Sequence, residues 1–176
     1  ADVAGPAGSF FAFEPHAGHF ARLKFFAEAN PGYRISCHEA AVSDRDGTVT
    51  LLESDRPGWH TIDSSRKVDG VNYRPREVSS VTLDTFAHDH DVGVVDVLKV
   101  DVEGAEARVL DGARRLFTEG RVRVLIIELW HPGGGMTPPL LRKLDEMGLE
   151  TQDATTGGPV TPSGSSQTSN AVCRPK

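Results

Sequence analysis

Apolar residues in the first forty positions alternate between strand-like runs and a stretch with helical spacing. Ser9 to Phe13 is a short apolar run that stops at Glu14-Pro15, because proline has no N–H to donate to a β-ladder. From His16 to Ala29, apolar residues recur every three or four positions, which predicts a helix with one buried face. The residues predicted to line that face are Phe20, Leu23, Phe26 and Ala27. Tyr33 to His38 alternates as a strand does, so the chain opens with strand, helix, strand.

The middle of the chain combines strand-like segments with a long polar stretch. Thr48 to Leu52 and Val78 to Leu83 are predicted strands, and Asp84 to His90 fits a short helix or turn. Residues 53–77 are rich in Asp, Ser, Arg, Gly and Pro and show no sustained periodicity. We therefore expect a long loop there, able to act as a lid.

The clearest core pattern begins at Val92. The nearly continuous apolar run from Val92 to Val102 is typical of a parallel strand buried on both faces. A helix is predicted over Ala105 to Phe117, a second buried strand over Arg121 to Leu129, and another amphipathic helix over Thr137 to Met147. Alternation of helices and buried strands predicts an α/β fold, with an open, mostly parallel sheet and helices on both faces. Such sheets bind ligands beyond the carboxyl ends of their strands.

Composition limits the partners and the domain organisation. A chain of 176 residues with 38% hydrophobic residues fits one domain, which we expect over residues 1–154. Residues 155–176 are Ser/Thr/Gly/Pro-rich, with a terminal strand expected near 170–173. A net charge of −6 argues against nucleic acid as a partner, and no apolar run is long enough to span a membrane. Two distant cysteines fit a reducing cytoplasm, and the oligomeric state stays open.

Acidic residues follow three of the predicted strands, at Glu14, at Asp101 with Glu103, and at Glu128. A carboxylate in the position of Glu14 can accept hydrogen bonds from a ribose diol, or it can cap the following helix. Charges at Lys99, Asp101 and Glu103 interrupt an apolar run, which indicates either a ligand site at the strand end or a structural ion pair.

Histidines suggest two further possibilities. His88-Asp89-His90-Asp91 offers potential metal ligands, but a hydrophilic helix end explains this pattern better, and we expect no metal site. His131 directly follows a predicted strand, where a neutral imidazole can take a proton from a substrate hydroxyl near pH 7. It can equally be an ordinary loop histidine.

An ordered set of motifs gives the chain a resemblance to a known family. The segments are Gly8 to Pro15 (GSFFAFEP), Ala41 to Asp44 with Gly47, Val81 to Asp84 (VTLD), and Leu98 to Glu106 (LKVDVEGAE) followed by Leu110, Gly112 and Ala113. Over roughly Gly5 to His131 the chain resembles the FkbM-type methyltransferases. The resemblance implies a Rossmann-like class I methyltransferase fold and S-adenosylmethionine as cofactor. It also implies O-methylation of a small molecule or glycan acceptor, such as a sugar or polyketide.

The resemblance also implies roles for individual residues. Glu14 would hold the cofactor ribose, and Asp101 would lie beside the methionine end and the reaction centre. Glu103 and His131 would lie near the acceptor, and Asp101, Glu103 and His131 are the candidates for a catalytic base. The residues implied to border the adenine are Ala41, Val42, Ser43 and Asp44.

The family pattern includes a strand and a glycine-rich loop before the FEP strand, and residues 1–8 do not match them. We therefore expect a sheet lacking its first strand, and weak cofactor binding by this chain. Two alternatives stay open. One is a non-catalytic remnant or binding module of the same fold. The other is a dinucleotide-dependent oxidoreductase, which the KVDVEGAE segment at 99–106 makes the weaker of the two enzyme interpretations.

Overall fold

A computed structural model describes residues 7–56, 59–67, 69–129, 138–160 and 170–176. These residues form an α/β fold whose strands fall into three separate sheets. The predicted α/β class is confirmed. The sheets are mixed, however, because two of the three contain antiparallel pairs among the described strands.

The first sheet pairs β1 (Ser9–Phe13) with β2 (Arg34–His38) in parallel, and α1 (Ala17–Ala29) connects them. The predicted strand, helix and strand are confirmed. The buried face predicted for the helix is wrong, because no residue of α1 is buried and Phe26 is 56% exposed. A helix packed on a two-stranded sheet has too little surface to cover its apolar stripe.

The second sheet has β5 (Tyr73–Val81) in the middle, parallel to β3 (Ala41–Val42) and antiparallel to β4 (Gly47–Ser54). The long loop predicted over 53–77 is therefore too long at both ends, since Glu53 pairs with Arg74 and Ser54 with Tyr73. Charged residues on an exposed hairpin have a composition like that of a loop, which hid these strand ends from the sequence pattern. Between the two strands, the described residues include a 3₁₀ turn, Ser64–Arg66.

The third sheet has the order β6 (Val95–Val100), β7 (Val122–Glu128), β9 (Asn170–Pro175), β8 (Leu149–Asp153). β6 and β7 are parallel, and β9 is antiparallel to both of its neighbours. The terminal strand expected near 170–173 is confirmed as β9, and β8 was not predicted. The division of the chain at residue 154 stays a prediction.

Helices cover this third sheet and connect its strands. α2 (Leu83–Asp89) precedes β6, α3 (Glu106–Asp111) and α4 (Arg114–Thr118) lie between β6 and β7, and α5 (Pro138–Glu146) precedes β8. The main core consists of buried residues of these helices and strands. None of the helices in the described part of the chain is long and apolar enough to cross a membrane.

A close backbone approach breaks the helix predicted over Ala105 to Phe117 into α3 and α4. A Cβ on Gly112 would lie 2.0 Å from the carbonyl oxygen of Ser43, so only glycine fits there. The Asp84 carboxylate accepts the backbone N–H groups of Arg115 and Leu116 at 2.9 and 3.0 Å and so caps the start of α4. The break is thus set by tertiary contacts.

Each sheet has two outer strands whose outer edges are unpaired among the described residues, and β1 in the first sheet and β6 in the third are two of these. The prediction that β6 is buried on both faces is wrong, because Val97 is 57% exposed and Val100 is the only residue of β6 that is buried. An edge strand has a neighbour on one side only, which leaves its side chains more open to solvent.

Candidate functional site

Three carboxylates meet at the carboxyl ends of β6 and β7. Asp101 and Glu103 directly follow β6, and Glu128 is the last residue of β7. The parallel register pairs Val100 with Ile127, so the two strands end at the same level. One carboxylate oxygen from each of the three residues lies within 4.8 Å of the others. The structure therefore brings together two of the predicted site residues, Asp101 and Glu103, and adds Glu128.

The charges in this cluster are unequal. Burial, and then the charge and hydrogen bond of Asp101, raise the pKa of Glu128 to about 7, and the nearby Glu103 and Glu106 act in the same direction. Burial alone would raise the pKa of Asp101, but the hydrogen bond and charge of Lys99 lower it, together with a hydrogen bond from Glu128. Close carboxylates avoid double ionisation, so this pair holds a proton on Glu128 up to about neutral pH.

Lys99 makes the ion pair that the sequence left open, with its Nζ 2.5 Å from Asp101 Oδ2. Both side chains are substantially exposed, so the pair contributes little to the free energy of unfolding. Its main effect is on the charge of Asp101. The ion pair is therefore observed, and a ligand site at this strand end stays a prediction.

The turn after β6 is held in an uncommon conformation. Glu103 has φ 51°, in the left-handed region that residues other than glycine seldom adopt, and Gly104 has φ 102°. Two hydrogen bonds fix the turn: Gly104 N–H donates to Glu106 Oε1 at 2.9 Å, and Thr61 Oγ1 donates to the Glu103 carbonyl at 2.8 Å. Backbone conformations of this kind are frequent at functional sites, where surrounding contacts enforce them.

Glu14 follows β1, as predicted, and contacts the start of α1. Its Oε1 accepts the backbone N–H of His16 at 2.8 Å, and its Oε2 lies 3.9 Å from His19 Nδ1. The helix-capping alternative for Glu14 is thus observed. A carboxylate has about four acceptor positions, so one backbone hydrogen bond does not exhaust its capacity to bind a diol.

The segment implied to border the adenine, Ala41 to Asp44, covers the short strand β3 and the two residues after it. Ala41 and Ser43 are buried, whereas Asp44 is exposed. Ser43 Oγ donates to Asp44 Oδ1 at 2.9 Å, and this hydrogen bond lowers the pKa of Asp44, with help from the charges of Arg45 and Arg108. Val42 is half-buried and packs against the main core, so Asp44 is the most accessible member of the four.

The segment 59–63 connects the end of β1 to the carboxylate cluster. His60 stacks on His16, with ring centroids 4.2 Å apart and planes 5° apart. The next residue, Thr61, is buried and makes the hydrogen bond to the Glu103 carbonyl. His16, two residues after Glu14, and the turn after β6 therefore contact the same short segment. Thr61 and His60 lie in a polar stretch whose pattern gave no sign of this role.

The remaining candidates have different outcomes. His131 lies outside the described residues, and its role stays a prediction. Within 88–91, His90 stacks on Phe86 at 4.0 Å, and its Nδ1 lies 3.0 Å from the Phe86 carbonyl oxygen. Glu128 was recognisable from the sequence as an acid that ends a buried strand, but only the parallel register shows that it lies beside Asp101.

The sequence of this chain matches the family described as the methyltransferase FkbM domain over residues 1–150. The chain belongs to the FkbM methyltransferase family. A relative, the 2-O-methyltransferase NoeI of Sinorhizobium fredii (strain NBRC 101917 / NGR234), is 27% identical over 132 residues. The match covers 66% of this chain and 52% of NoeI, so the chain spans about half the length of that relative. No solved structure matches the chain.

Several residues that give this chain its FkbM resemblance stabilise the fold. Asp84 caps α4, Gly112 allows the close approach to Ser43, and the buried Glu106 accepts the N–H of Gly104. The Glu106 contact fixes the turn that contains Glu103, and the other two contacts fix the end of α3 and the start of α4 that follow it. The family motif therefore includes both the candidate site residues and the residues that position them.

Proposed function

We propose that this FkbM-family chain provides the acceptor side and the ribose-binding acid of an S-adenosylmethionine-dependent O-methyltransferase. The observation that carries the proposal is the carboxylate cluster at the ends of β6 and β7, with a Glu128 pKa of about 7. Methylation of a hydroxyl group releases a proton, and a group that titrates near the working pH is suited to accept it.

The residues present fit the charge of the proposed cofactor. S-adenosylmethionine carries a sulfonium and an ammonium group and, when bound, supplies an electrophilic methyl group. The ionised Asp101 and the neighbouring Glu103 complement this positive charge, and Glu14 retains acceptor capacity for a ribose diol. Asp44 is the accessible acid of the segment proposed to border the adenine.

The residues of the chain would then act mainly by positioning and by holding the proton. Lys99 keeps Asp101 ionised, and the fixed turn at Glu103 and Gly104 holds the acceptor side in place. Glu128 accepts the hydroxyl proton in the fraction of molecules where it is ionised. Alignment of a nucleophile with its target is the larger contribution in such displacements, so little covalent chemistry is needed from side chains. His131 remains a second candidate base.

We propose a class I methyltransferase arrangement for the strands. Two parallel pairs, β1–β2 and β6–β7, each have an unpaired outer edge among the described residues, and acids follow their carboxyl ends. These features support placing both pairs in one Rossmann-like sheet that lacks one strand between β1 and β6. Such a sheet would place Glu14 and Asp101 at the same edge, where α/β proteins bind their ligands.

The proposed acceptor is a hydroxyl group on a small molecule or glycan, in keeping with the name of the relative NoeI. With a net charge of −6, the chain has no excess of positive charge to bind a phosphate backbone. We propose a cytoplasmic location, in line with the two cysteines, which form no disulfide.

A non-catalytic binding module of the same fold is the second candidate. The close Lys99–Asp101 ion pair favours it, since an ion pair at this strand end can serve a purely structural purpose. A module of this kind would keep Glu14 and Asp44 but would not need a carboxyl group that titrates near neutral pH.

The experiment is a titration of S-adenosylhomocysteine into ¹⁵N-labelled chain, followed by amide NMR because this method detects weak binding. We expect saturable shifts at the residues next to Glu14 and at Gly104. Glu14→Gln should weaken binding, since an amide accepts fewer hydrogen bonds from the diol, while Glu146→Gln on the exposed face of α5 should not. Shifts absent, or located away from both strand ends, would contradict the cofactor assignment.

A further inference from the structure

Three imidazole rings meet where the start of α1 faces the segment after β4. His16 caps α1, His19 lies in its first turn, and His60 belongs to the segment 59–67. Ring centroids are 4.2 Å apart for His16 and His60, 4.6 Å for His16 and His19, and 4.9 Å for His19 and His60. The cluster lies outside the carboxylate cluster of the proposed function.

The nitrogens of these rings converge. One ring nitrogen from each histidine lies within 4.8 Å of the other two, and all three residues are half-buried. Burial, and then the neighbouring His16 and His19, lower the pKa of His60. A neutral imidazole has a lone pair for a metal ion, and partial burial limits competition from water.

Two carboxylates lie close to the rings, just beyond hydrogen-bond distance of a ring nitrogen. Glu14 Oε2 lies 3.9 Å from His19 Nδ1, and Glu53 Oε1 lies 4.0 Å from His16 Nε2. Both distances exceed those of a hydrogen bond. Tetrahedral zinc with bonds of about 2.0–2.2 Å holds its ligand atoms roughly 3.4 Å apart, so a shift of about half an ångström would bring each carboxylate oxygen and its ring nitrogen onto one ion.

We propose that His16, His19 and His60 form a binding site for a divalent transition-metal ion of the zinc type, with Glu14 and Glu53 beside it. Three imidazoles with adjacent carboxylates suit Zn²⁺ and not Mg²⁺, which prefers oxygen ligands and retains water. This inference revises the expectation of no metal site, which considered only residues 88–91. His60 is far from the other two histidines in the sequence, so ligand spacing could not reveal the cluster.

Binding must rearrange two backbone hydrogen bonds, which makes the proposal specific. Ser54 N–H donates to His60 Nδ1 at 2.9 Å, and His19 N–H donates to His16 Nδ1 at 3.3 Å. A ring whose Nδ1 accepts a hydrogen bond carries its proton on Nε2 when it is neutral. Coordination through Nε2 then moves the proton to Nδ1 and breaks both of these hydrogen bonds. The amide signals of Ser54 and His19 should report the ion directly.

The ion would join the start of α1 to the segment 59–67. Because Thr61 of that segment is hydrogen-bonded to the Glu103 carbonyl, the same ion would steady the turn after β6. Its effect is structural, and it requires no part in methyl transfer.

The test is calorimetric titration of Zn²⁺ into the metal-free chain, repeated with Mg²⁺. We expect one Zn²⁺ per chain and no comparable binding of Mg²⁺. His60→Ala and His19→Ala should each weaken Zn²⁺ binding by about tenfold or more, whereas the exposed His88→Ala on α2 should leave it unchanged. Equal binding in His60→Ala and His88→Ala would overturn the proposal.

Two further measurements use the unaltered chain, so they do not depend on whether a variant folds. Zn²⁺ should raise the midpoint of thermal unfolding, because an ion that binds the folded state alone stabilises it. It should also shift the amide signals of Ser54 and His19. Zinc binding that is retained in His19→Ala but lost in Glu128→Gln would place the ion at the carboxylate cluster and refute the histidine site.

Discussion

The β1–α1–β2 unit and the four-stranded sheet with its helices differ sharply in burial, although the sequence predicted β1, α1 and β2 as well as β6, β7 and α5. The first contains no buried residue in α1, and Phe26 is 56% exposed. The second supplies most of the main core, including Leu144, Leu125 and Ile127. Apolar residues at helical spacing predict a helix in both regions. Burial depends on the number of neighbouring strands, and here the less packed unit carries Glu14, His16 and His19.

The largest expected effect is a difference in stability between two side-chain truncations, one in each region. Leu144→Ala should lower the free energy of unfolding by about 2–5 kcal/mol, because it removes a fully buried side chain of α5 and leaves a cavity. Phe26→Ala should change it by less than about 0.5 kcal/mol, since that side chain is exposed. Urea unfolding measures both. Equal losses would show that the two regions are packed alike.

The glycine break between α3 and α4 should give the next largest effect. Gly112→Ala introduces a Cβ 2.0 Å from the Ser43 carbonyl oxygen, so the backbone must shift, at a cost of about 1–3 kcal/mol. Gly93→Ala is the matched control, because its Cβ meets nothing within 4 Å. A Gly112→Ala protein as stable as the Gly93→Ala protein would mean that α3 and β3 do not approach as described.

The sequence predicted the elements of the fold well and their surroundings poorly. Strands β1, β2, β6 and β7 were found from local apolar runs, because periodicity is a local property. The hairpin ends at Glu53 and Arg74 were missed because their charged side chains give the segment a composition like that of a loop. Burial of Val97 was overestimated, because no local signal tells an edge strand from a central one.

The site was predicted in part for a related reason. Asp101 and Glu103 stood out as charges in an apolar run, and the FkbM resemblance pointed to the same residues. The position of Glu128 beside Asp101 follows only from the parallel register of β6 and β7. The role of Thr61 follows only from a tertiary hydrogen bond. Residues that act through contacts distant in sequence leave no pattern in a single chain.

A smaller, pH-dependent effect is expected at Glu128. Its pKa is raised in the folded chain, so the associated stability is present in acid and is lost as the pH rises through about 7. Glu128→Gln should therefore stabilise the chain relative to the original at pH 8, by about 1 kcal/mol, since partial exposure reduces the full value. At pH 4 the difference should vanish. The control Glu146→Gln should show no such pH dependence, and a difference constant from pH 4 to 8 would contradict the raised pKa.

The most direct test of the proposed site is a pH titration of the Glu128 side-chain carboxyl by ¹³C NMR. We expect an apparent pKa of about 7 in the original chain and a lower pKa in Asp101→Asn, since the nearby negative charge is removed. A Glu128 carboxyl that titrates at the ordinary pKa of glutamate in both chains would contradict the coupled pair, and with it the proton acceptor on which the proposed methyl transfer depends.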